Sequence, residues 1–340
     1  MAEGVYGAPH PDLAEIGAGA RQLSPLVLEA EALEDLAPGD LERLVIAAPP
    51  GVLERRHVLA QALRVLPPGG ELVAMAPKDR GGSRLGAELA AFGCEVAERG
   101  ARHQRVCVTV RPGQPVDLEA AIAQGDAQVV PALGLWSQPG VFSWDRLDPG
   151  SALLLEHVDG LAGRGADLGC GIGVLTLRAL ASAKVTALTA IDLDRRAVAA
   201  ARRNLVDPRA VVVRADLRRA PSTASRSPSP KGGGMNAAET ASIPPPLGEG
   251  DQAQPGGGGM PQPQSLDFVI MNPPFHDGGV EDRRLGQVFI ERASALLRKG
   301  GVLRLVANVG MPYEATLAER FTAVKPLAQA KGYKLIEARR

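Results

Sequence analysis

Cysteine is scarce in this 340-residue chain. Cys94, Cys107 and Cys170 form no Cys-x-x-Cys pair, which excludes a disulfide framework and a cysteine-built zinc site. The five histidines show no His-Glu-x-x-His spacing, so no metal is expected. No apolar run suits a membrane span; the longest uncharged candidate, residues 127–144, is broken by Pro131 and Pro139. The start, Met1-Ala2-Glu3-Gly4, lacks the basic residues and apolar run of a signal peptide, and a cytoplasmic location is expected. Net charge is missing too. Thirty-eight basic residues balance thirty-eight acidic ones, so no global field marks a polyanion binder.

A 45% hydrophobic and 22% charged composition is that of a globular protein, and the length suits two domains. The neutral total hides an asymmetry: residues 1–150 carry 13 cations and 20 anions, residues 151–340 carry 25 and 18. A polyanionic partner is therefore expected to meet the second half. One stretch stands apart. Residues 221–264 hold nine prolines, nine glycines and five serines, with no aromatic residue and no valine, and read as a disordered insertion.

Around that insertion strands alternate with helices: Ala166–Leu168, a helix from Val174 to Ala183, Val185–Ile191, a helix from Ala197 to Leu205, and Val211–Val213. Leu266–Met271, a helix from Gln287 to Leu297 and Val302–Ala307 follow. This alternation predicts an α/β fold with a mostly parallel sheet covered on both faces, and Tyr333–Ala338 reads as an antiparallel C-terminal edge strand. The first half repeats part of the pattern. Leu44-Val45-Ile46-Ala47-Ala48-Pro49-Pro50-Gly51 aligns with Phe268-Val269-Ile270-Met271-Asn272-Pro273-Pro274-Phe275, and residues 66–73 align with 297–304. Two related domains in tandem follow, 1–125 and 126–340. The first has Ala48 and Gly51 where the second has Asn272 and Phe275, and it has no glycine loop, so it reads as a copy without chemistry.

Asp167-Leu168-Gly169-Cys170-Gly171-Ile172-Gly173 follows a strand and opens a helix. Alternate glycines let the backbone turn sharply and lie against a ligand. A dinucleotide fingerprint needs a third glycine three positions on, where Val174 or Thr176 stands instead. The pattern resembles the first motif of S-adenosylmethionine-dependent methyltransferases. Asp192, closing the next strand, is placed to accept ribose hydroxyls. Asp194 is its competitor but reads better as a helix N-cap. Asp216 closes the third strand, where such enzymes meet the adenine amino group.

Asn272-Pro273-Pro274-Phe275 follows the fourth strand. The prolines remove two N–H donors and stiffen the chain, so the Pro273 carbonyl and the Asn272 side-chain oxygen converge as two acceptors. An exocyclic amino group on a nucleobase is their natural partner, with Phe275 stacked on the ring. With residues 272–278, 140–143, 147–151, 303–308 and 311–314, the chain strongly resembles the bacterial ribosomal RNA guanine-N2 methyltransferases of the small-subunit (16S) type, from about residue 130 onward. That resemblance implies two tandem Rossmann-like class I methyltransferase domains, the first degenerate. It implies S-adenosyl-L-methionine held by Asp167, Gly169, Gly171, Gly173, Asp192 and Asp216, and a target guanine held by Asn272, Pro273, Pro274 and Phe275. Phe142 and Ser143 are expected near the cofactor, and Trp136 and Trp144 in packing. The partner is ribosomal RNA or the small subunit. Methylation of a large-subunit guanine, an adenine N6 or a glutamine amide is the alternative within the class, and a non-catalytic RNA-binding assembly factor is the alternative outside it.

Overall fold

The computed structural model describes residues 2–219, 259–274, 276–277, 280–281 and 283–340. Its first part holds β1 (Glu3–Tyr6), β2 (Arg21–Gln22), β3 (Arg43–Ala47), α1 (Val52–Val65), β4 (Glu71–Pro77), α2 (Ser83–Ala91), β5 (Val96–Ala101), β6 (Gln104–Val110) and α3 (Leu118–Gly125). The strands form one sheet in the order β2-β1-β3-β4-β6-β5, parallel from β2 to β4 and antiparallel beyond. Leu44, Val45 and Ile46 of β3 are all fully buried, which explains its continuous apolar run: both faces of a central parallel strand are covered. Ala121 of α3 joins the core on one face, and Gly125 packs against the His57 ring of α1.

Next come β7 (Gln128–Val130), β8 (Leu135–Ser137), α4 (Pro149–Leu155), β9 (Gly163–Leu168), α5 (Val174–Leu180), β10 (Val185–Asp192), α6 (Arg195–Asn204) and β11 (Ala210–Arg214). After them stand β12 (Leu266–Met271), β13 (His276–Asp277), β14 (Val280–Glu281), α7 (Arg283–Leu296), β15 (Leu297–Asn308), α8 (Glu314–Arg320), β16 (Ala323–Ala330) and β17 (Tyr333–Arg339). The second sheet runs β11-β10-β9-β12-β15-β17-β16, again parallel as far as β15 and then antiparallel. Along β12, Val269 and Met271 enter one core cluster and Phe268 and Ile270 the other, so both faces are covered. The two copies correspond from the sheet centre outward, the second having one strand more at its far edge: β3 and β4 stand in one sheet where β12 and β15 stand in the other, each pair followed by two antiparallel strands. The aligned sequence segments lie on these strands.

Two expectations change. The C-terminal strand β17 is antiparallel but not at the edge, because β16 pairs outside it. Sequence hid β16: it is mostly exposed, and Pro326 removes a ladder donor beside a register shift, which an edge strand tolerates. The low-complexity stretch also ends earlier than composition indicated. Met260 packs against the core and the Gln264 amide donates to the Ala295 carbonyl at 3.0 Å; residues 220–258 lie outside the described residues. Among the described residues no helix is long and apolar enough to cross a membrane.

Arginines of the second copy clasp the first. Arg196, 9% exposed, binds Asp194 at 2.8 Å, Glu54 of α1 at 2.7 Å and the Gly140 carbonyl at 3.3 Å. Arg214 donates to the carbonyls of Pro25, Val27 and Leu28 at 2.8–3.2 Å. These contacts set the first copy over the ends of β10 and β11.

Candidate active site

The chain leaves β9 at Leu168 and enters α5 at Val174 through three left-handed glycines, with φ of +75° at Gly169, +54° at Gly171 and +92° at Gly173. Such φ values strain any residue with a Cβ. The amides of Gly169 and Cys170 both donate to the Ile191 carbonyl (2.8 and 3.0 Å), pinning the loop to the end of β10. Asp192 fastens it from the other side: Oδ2 accepts from the Gly171 amide at 2.8 Å and Oδ1 from the Asp194 amide at 2.9 Å. Asp194 caps α6 by accepting from the Arg196 amide at 2.9 Å, the role its sequence position indicated.

Beneath the loop Asp167 is fully buried, with Oδ2 accepting from the Thr176 hydroxyl at 2.7 Å and Oδ1 unpartnered. Burial pushes its carboxyl up to about 7 and that of Asp192 up to about 6.

The loop opens on a cavity of about 510 Å³. Gly169, Gly171, Asp192, Asp194, Asp216 and Asn272 line it, with Pro273 and Pro274 at the end of β12. Phe142, Leu193, Leu217, Leu285 and Phe289 supply apolar walls, and Leu26 and Pro50 come from the first copy. A smaller recess of about 50 Å³ shares Phe142, Gly169, Gly171 and Asn272 and reaches Ser143, Arg146 and Asp148. The cavity falls in the size range of small-molecule sites, at the carboxyl ends of the strands, where open α/β sheets bind ligands.

Asn272 has a fixed orientation. Its Nδ2 donates to Asp148 Oδ2 at 2.8 Å and to Ser151 Oγ at 3.0 Å. A carboxylate cannot donate, so it can face only the amide nitrogen, and Asn272 Oδ1 is left buried with no partner among the described residues. Asp148 is held in turn: it caps α4 through the Ser151 amide at 2.7 Å and lies 3.3 Å from the Tyr333 hydroxyl. A buried acceptor without a donor costs about 1–3 kcal/mol, so its position beside the cavity marks where a ligand N–H belongs.

Of the residues singled out in the sequence, Gly169, Gly171, Asp192, Asp216, Asn272, Pro273 and Pro274 line the cavity. Asp167 and Gly173 do not: the carboxylate supports the loop from below, and Gly173 sits against Leu205 at the start of α5. Phe275 lies outside the described residues. Asp216 faces the cavity with its carboxylate already bound by the Arg218 guanidinium at 2.8 and 3.0 Å. Trp136 and Trp144 pack against Val141, Ile172 and Ala197, with the Arg203 guanidinium 4.5 Å above the Trp136 ring. Sequence reasoning missed Asp148, Ser151, Leu26 and Pro50. Asp148-Pro149-x-Ser151 carried a helix-start signal, an N-cap followed by proline at the first helical position; nothing local pointed to the other two.

The family model of the methyltransferase small domain matches residues 132–224 and 259–337. A ribosomal RNA small subunit methyltransferase C of Pseudomonas paraeruginosa is 32% identical over 299 residues, covering 84% of this chain and 76% of that protein. One of the same name from Ectopseudomonas mendocina is 30% identical, covering 89% and 80%. The solved structure of a T. thermophilus 16S rRNA N2 methyltransferase, in complex with AdoMet and guanosine, superposes over the whole chain with a TM-score of 0.71 at 24% identity, covering 88% of its own length. The glycine loop, the cavity at the strand ends and the Asn-Pro-Pro turn thus sit in the region matched by that model, and the chain belongs to the methyltransferase small domain family, among the ribosomal RNA small subunit methyltransferases C.

Proposed function

We propose that this protein transfers a methyl group from S-adenosylmethionine to the exocyclic N2 amine of a guanine in 16S ribosomal RNA. The observation that carries the reading is the buried Asn272 Oδ1, without a partner among the described residues, on an amide whose Nδ2 is held by Asp148 and Ser151 at the wall of a cavity that also presents Asp192. The names of the relatives supply the RNA, and the aligned Asn-Pro-Pro turn supplies acceptors for an amine. The residues present fit the cofactor. Gly171 offers open space where a Cβ would otherwise stand, Asp192 offers remaining lone pairs to ribose hydroxyls, and Leu193 and Leu217 form an apolar shelf for a purine beside Asp216.

When bound, S-adenosylmethionine supplies an electrophilic methyl group on sulfur. The protein's own contribution is alignment. The lone pair of an aromatic amine is delocalised into its ring, so the amine attacks well only when held out of conjugation. Asn272 Oδ1 and the Pro273 carbonyl accept the two N–H bonds and leave the lone pair directed along the line of attack. Phe275 stacks on the purine. No dedicated base is required, because the product ammonium is acidic enough to release its proton to water.

The test is single-turnover transfer of labelled methyl to small subunits from a strain lacking this protein, followed by nucleoside analysis. N2-methylguanosine is expected from the parent, and Asn272→Ala should lower the rate about a hundredfold or more. Full activity in Asn272→Ala refutes the mechanism; a labelled product other than N2-methylguanosine refutes the substrate.

A further inference from the structure

Residues 1–150, the first copy and the segment leading into the second, carry a net charge of −7, and most of their cations are engaged within the protein. Ten of the thirteen meet an acidic side chain, a main-chain carbonyl or an aromatic ring; Arg43, for instance, binds both Glu3 and Glu71. The other three are neighbours. Lys78, Arg80 and Arg84 are exposed, follow the end of β4 within seven residues, and meet no partner among the described residues. Their segment is held in place: Arg80 has non-helical backbone angles, Gly81 has φ +97°, and the Lys78 amide donates to the His103 carbonyl at 3.1 Å. That carbonyl belongs to a two-residue hairpin turn, Arg102-His103, with positive φ at both positions, where asparagine and glycine are the residues that fit without strain. His103 is exposed beside them.

The segment also adjoins the cavity. Arg55, 1% exposed, donates through one Nη to the carbonyls of Pro49 and Pro50 at 3.0 and 2.7 Å, and Pro50 lines the cavity. A Cβ on Gly81 would collide with the same guanidinium. A single buried side chain therefore joins the cavity wall to the turn that carries the three free cations, and both lie at the carboxyl ends of adjacent parallel strands, β3 and β4.

We propose that Lys78, Arg80 and Arg84 form a phosphate-binding ridge for the RNA strand flanking the target guanine. This rests on the reading of the cavity as a guanine-N2 methyltransferase site and names a surface that receives its substrate. An acidic domain repels a polyanion least where cations without partners follow one another, here three against the one exposed carboxylate of Asp79, so the ridge favours the side from which the strand enters. Phosphates bound there fix the register of the strand without reading its sequence.

The experiment compares the full-length parent with Lys78→Ala/Arg80→Ala/Arg84→Ala, using protein-free 16S rRNA and small subunits from a strain lacking this protein. Each phosphate contact on single-stranded RNA adds about 0.7 to the log–log salt slope, so losing three lowers it by about 2 and weakens binding about fiftyfold near 0.15 M salt. KM for RNA should rise in parallel while S-adenosylmethionine affinity, by calorimetry, stays that of the parent. Arg80→Lys/Arg84→Lys, which keeps the charge, should retain tight binding. RNA affinity and salt slope within twofold of the parent overturn the proposal. A defect seen with subunits but absent with protein-free RNA overturns it as well, and assigns the ridge to a ribosomal protein. If the parent binds RNA in the expected way but makes no N2-methylguanosine, the failure lies with the function and not with the ridge.

Discussion

Asp148→Asn weakens the hold on Asn272 while leaving at position 148 a residue able to cap α4. Asparagine caps a helix as well as aspartate, so α4 keeps its start, whereas Asp148→Ala would lose a cap worth about 0.5–2 kcal/mol. What changes is the bond to Asn272 Nδ2, which is 2.8 Å long and made to a carboxylate. A hydrogen bond to a charged group contributes about 1.5–3 kcal/mol and a neutral one about 0.5–1.5, so the substitution removes roughly 1 kcal/mol of preference for the working orientation. An amide opposite an amide also permits the flipped arrangement, in which Asn272 presents its NH₂ group to the cavity and repels the substrate amine. At 1.36 kcal/mol per tenfold, Asp148→Asn should slow single-turnover methylation about fivefold with little change in melting temperature. Asp148→Ala, losing the whole bond, should slow it about ten- to a hundredfold. The decisive assay is a double-mutant cycle with Asn272→Ala. If Asp148 acts through Asn272, then removing Asp148 from the Asn272→Ala background costs nothing further in rate. Additive losses would falsify the positioning role.

Three further outcomes are expected. The raised carboxyl of Asp192, at about 6, makes ribose binding pH-dependent: S-adenosylmethionine affinity should fall as the pH drops below about 6 in the parent and stay flat, though weaker, in Asp192→Asn, as read by calorimetry; identical profiles would move the ribose elsewhere. Asp167 is raised from 3.8 to about 7, so its buried carboxyl ionises at a cost, and that cost appears as pH rises from about 4 through 7. Denaturant unfolding should therefore show the stability of Asp167→Asn gaining on the parent over that window by up to about 4 kcal/mol, and parallel curves would refute the assignment. Arg196→Met leaves Glu54 and Asp194 without their shared partner and should destabilise the full chain by about 3–5 kcal/mol; a loss under about 1 kcal/mol would show the clasp to be dispensable.

The catalytic copy was largely legible because its signals are local. A glycine at every second position before a helix, a carboxylate closing the next strand and two prolines after an apolar run each state a backbone requirement within a few residues. Asp192 and Asn272 followed from that spacing. Asp148 did not, since its partner Asn272 is 124 residues away and only the fold brings α4 to the end of β12. Leu26 and Pro50 were illegible for the same reason, being brought to the cavity by a clasp whose arginines look in sequence like ordinary surface charge on α6 and β11. Charge counting misled in a different way. A net of −7 described residues 1–150 as a whole, but ten of their cations are engaged within the protein and the other three follow one another after β4.

The Pro49-Pro50 turn of the first copy differs from the aligned Pro273-Pro274 turn in what its carbonyls meet. Its carbonyls, of which that of Pro49 is the counterpart of the acceptor proposed at Pro273, are occupied by the chain's own guanidinium, and Arg55 is held by Glu88 at 2.6 and 2.7 Å. An asparagine at position 48 would find the neighbouring Pro49 carbonyl already taken. Removing Arg55 would strand the buried carboxylate of Glu88, at about 3–5 kcal/mol, a large share of what holds an ordinary domain together. Removing Glu88 first would strand the guanidinium instead. Any single substitution at Arg55 or Glu88 that frees the turn's carbonyls therefore also leaves a buried charge without its partner, and the internal ion pair commits this turn to support.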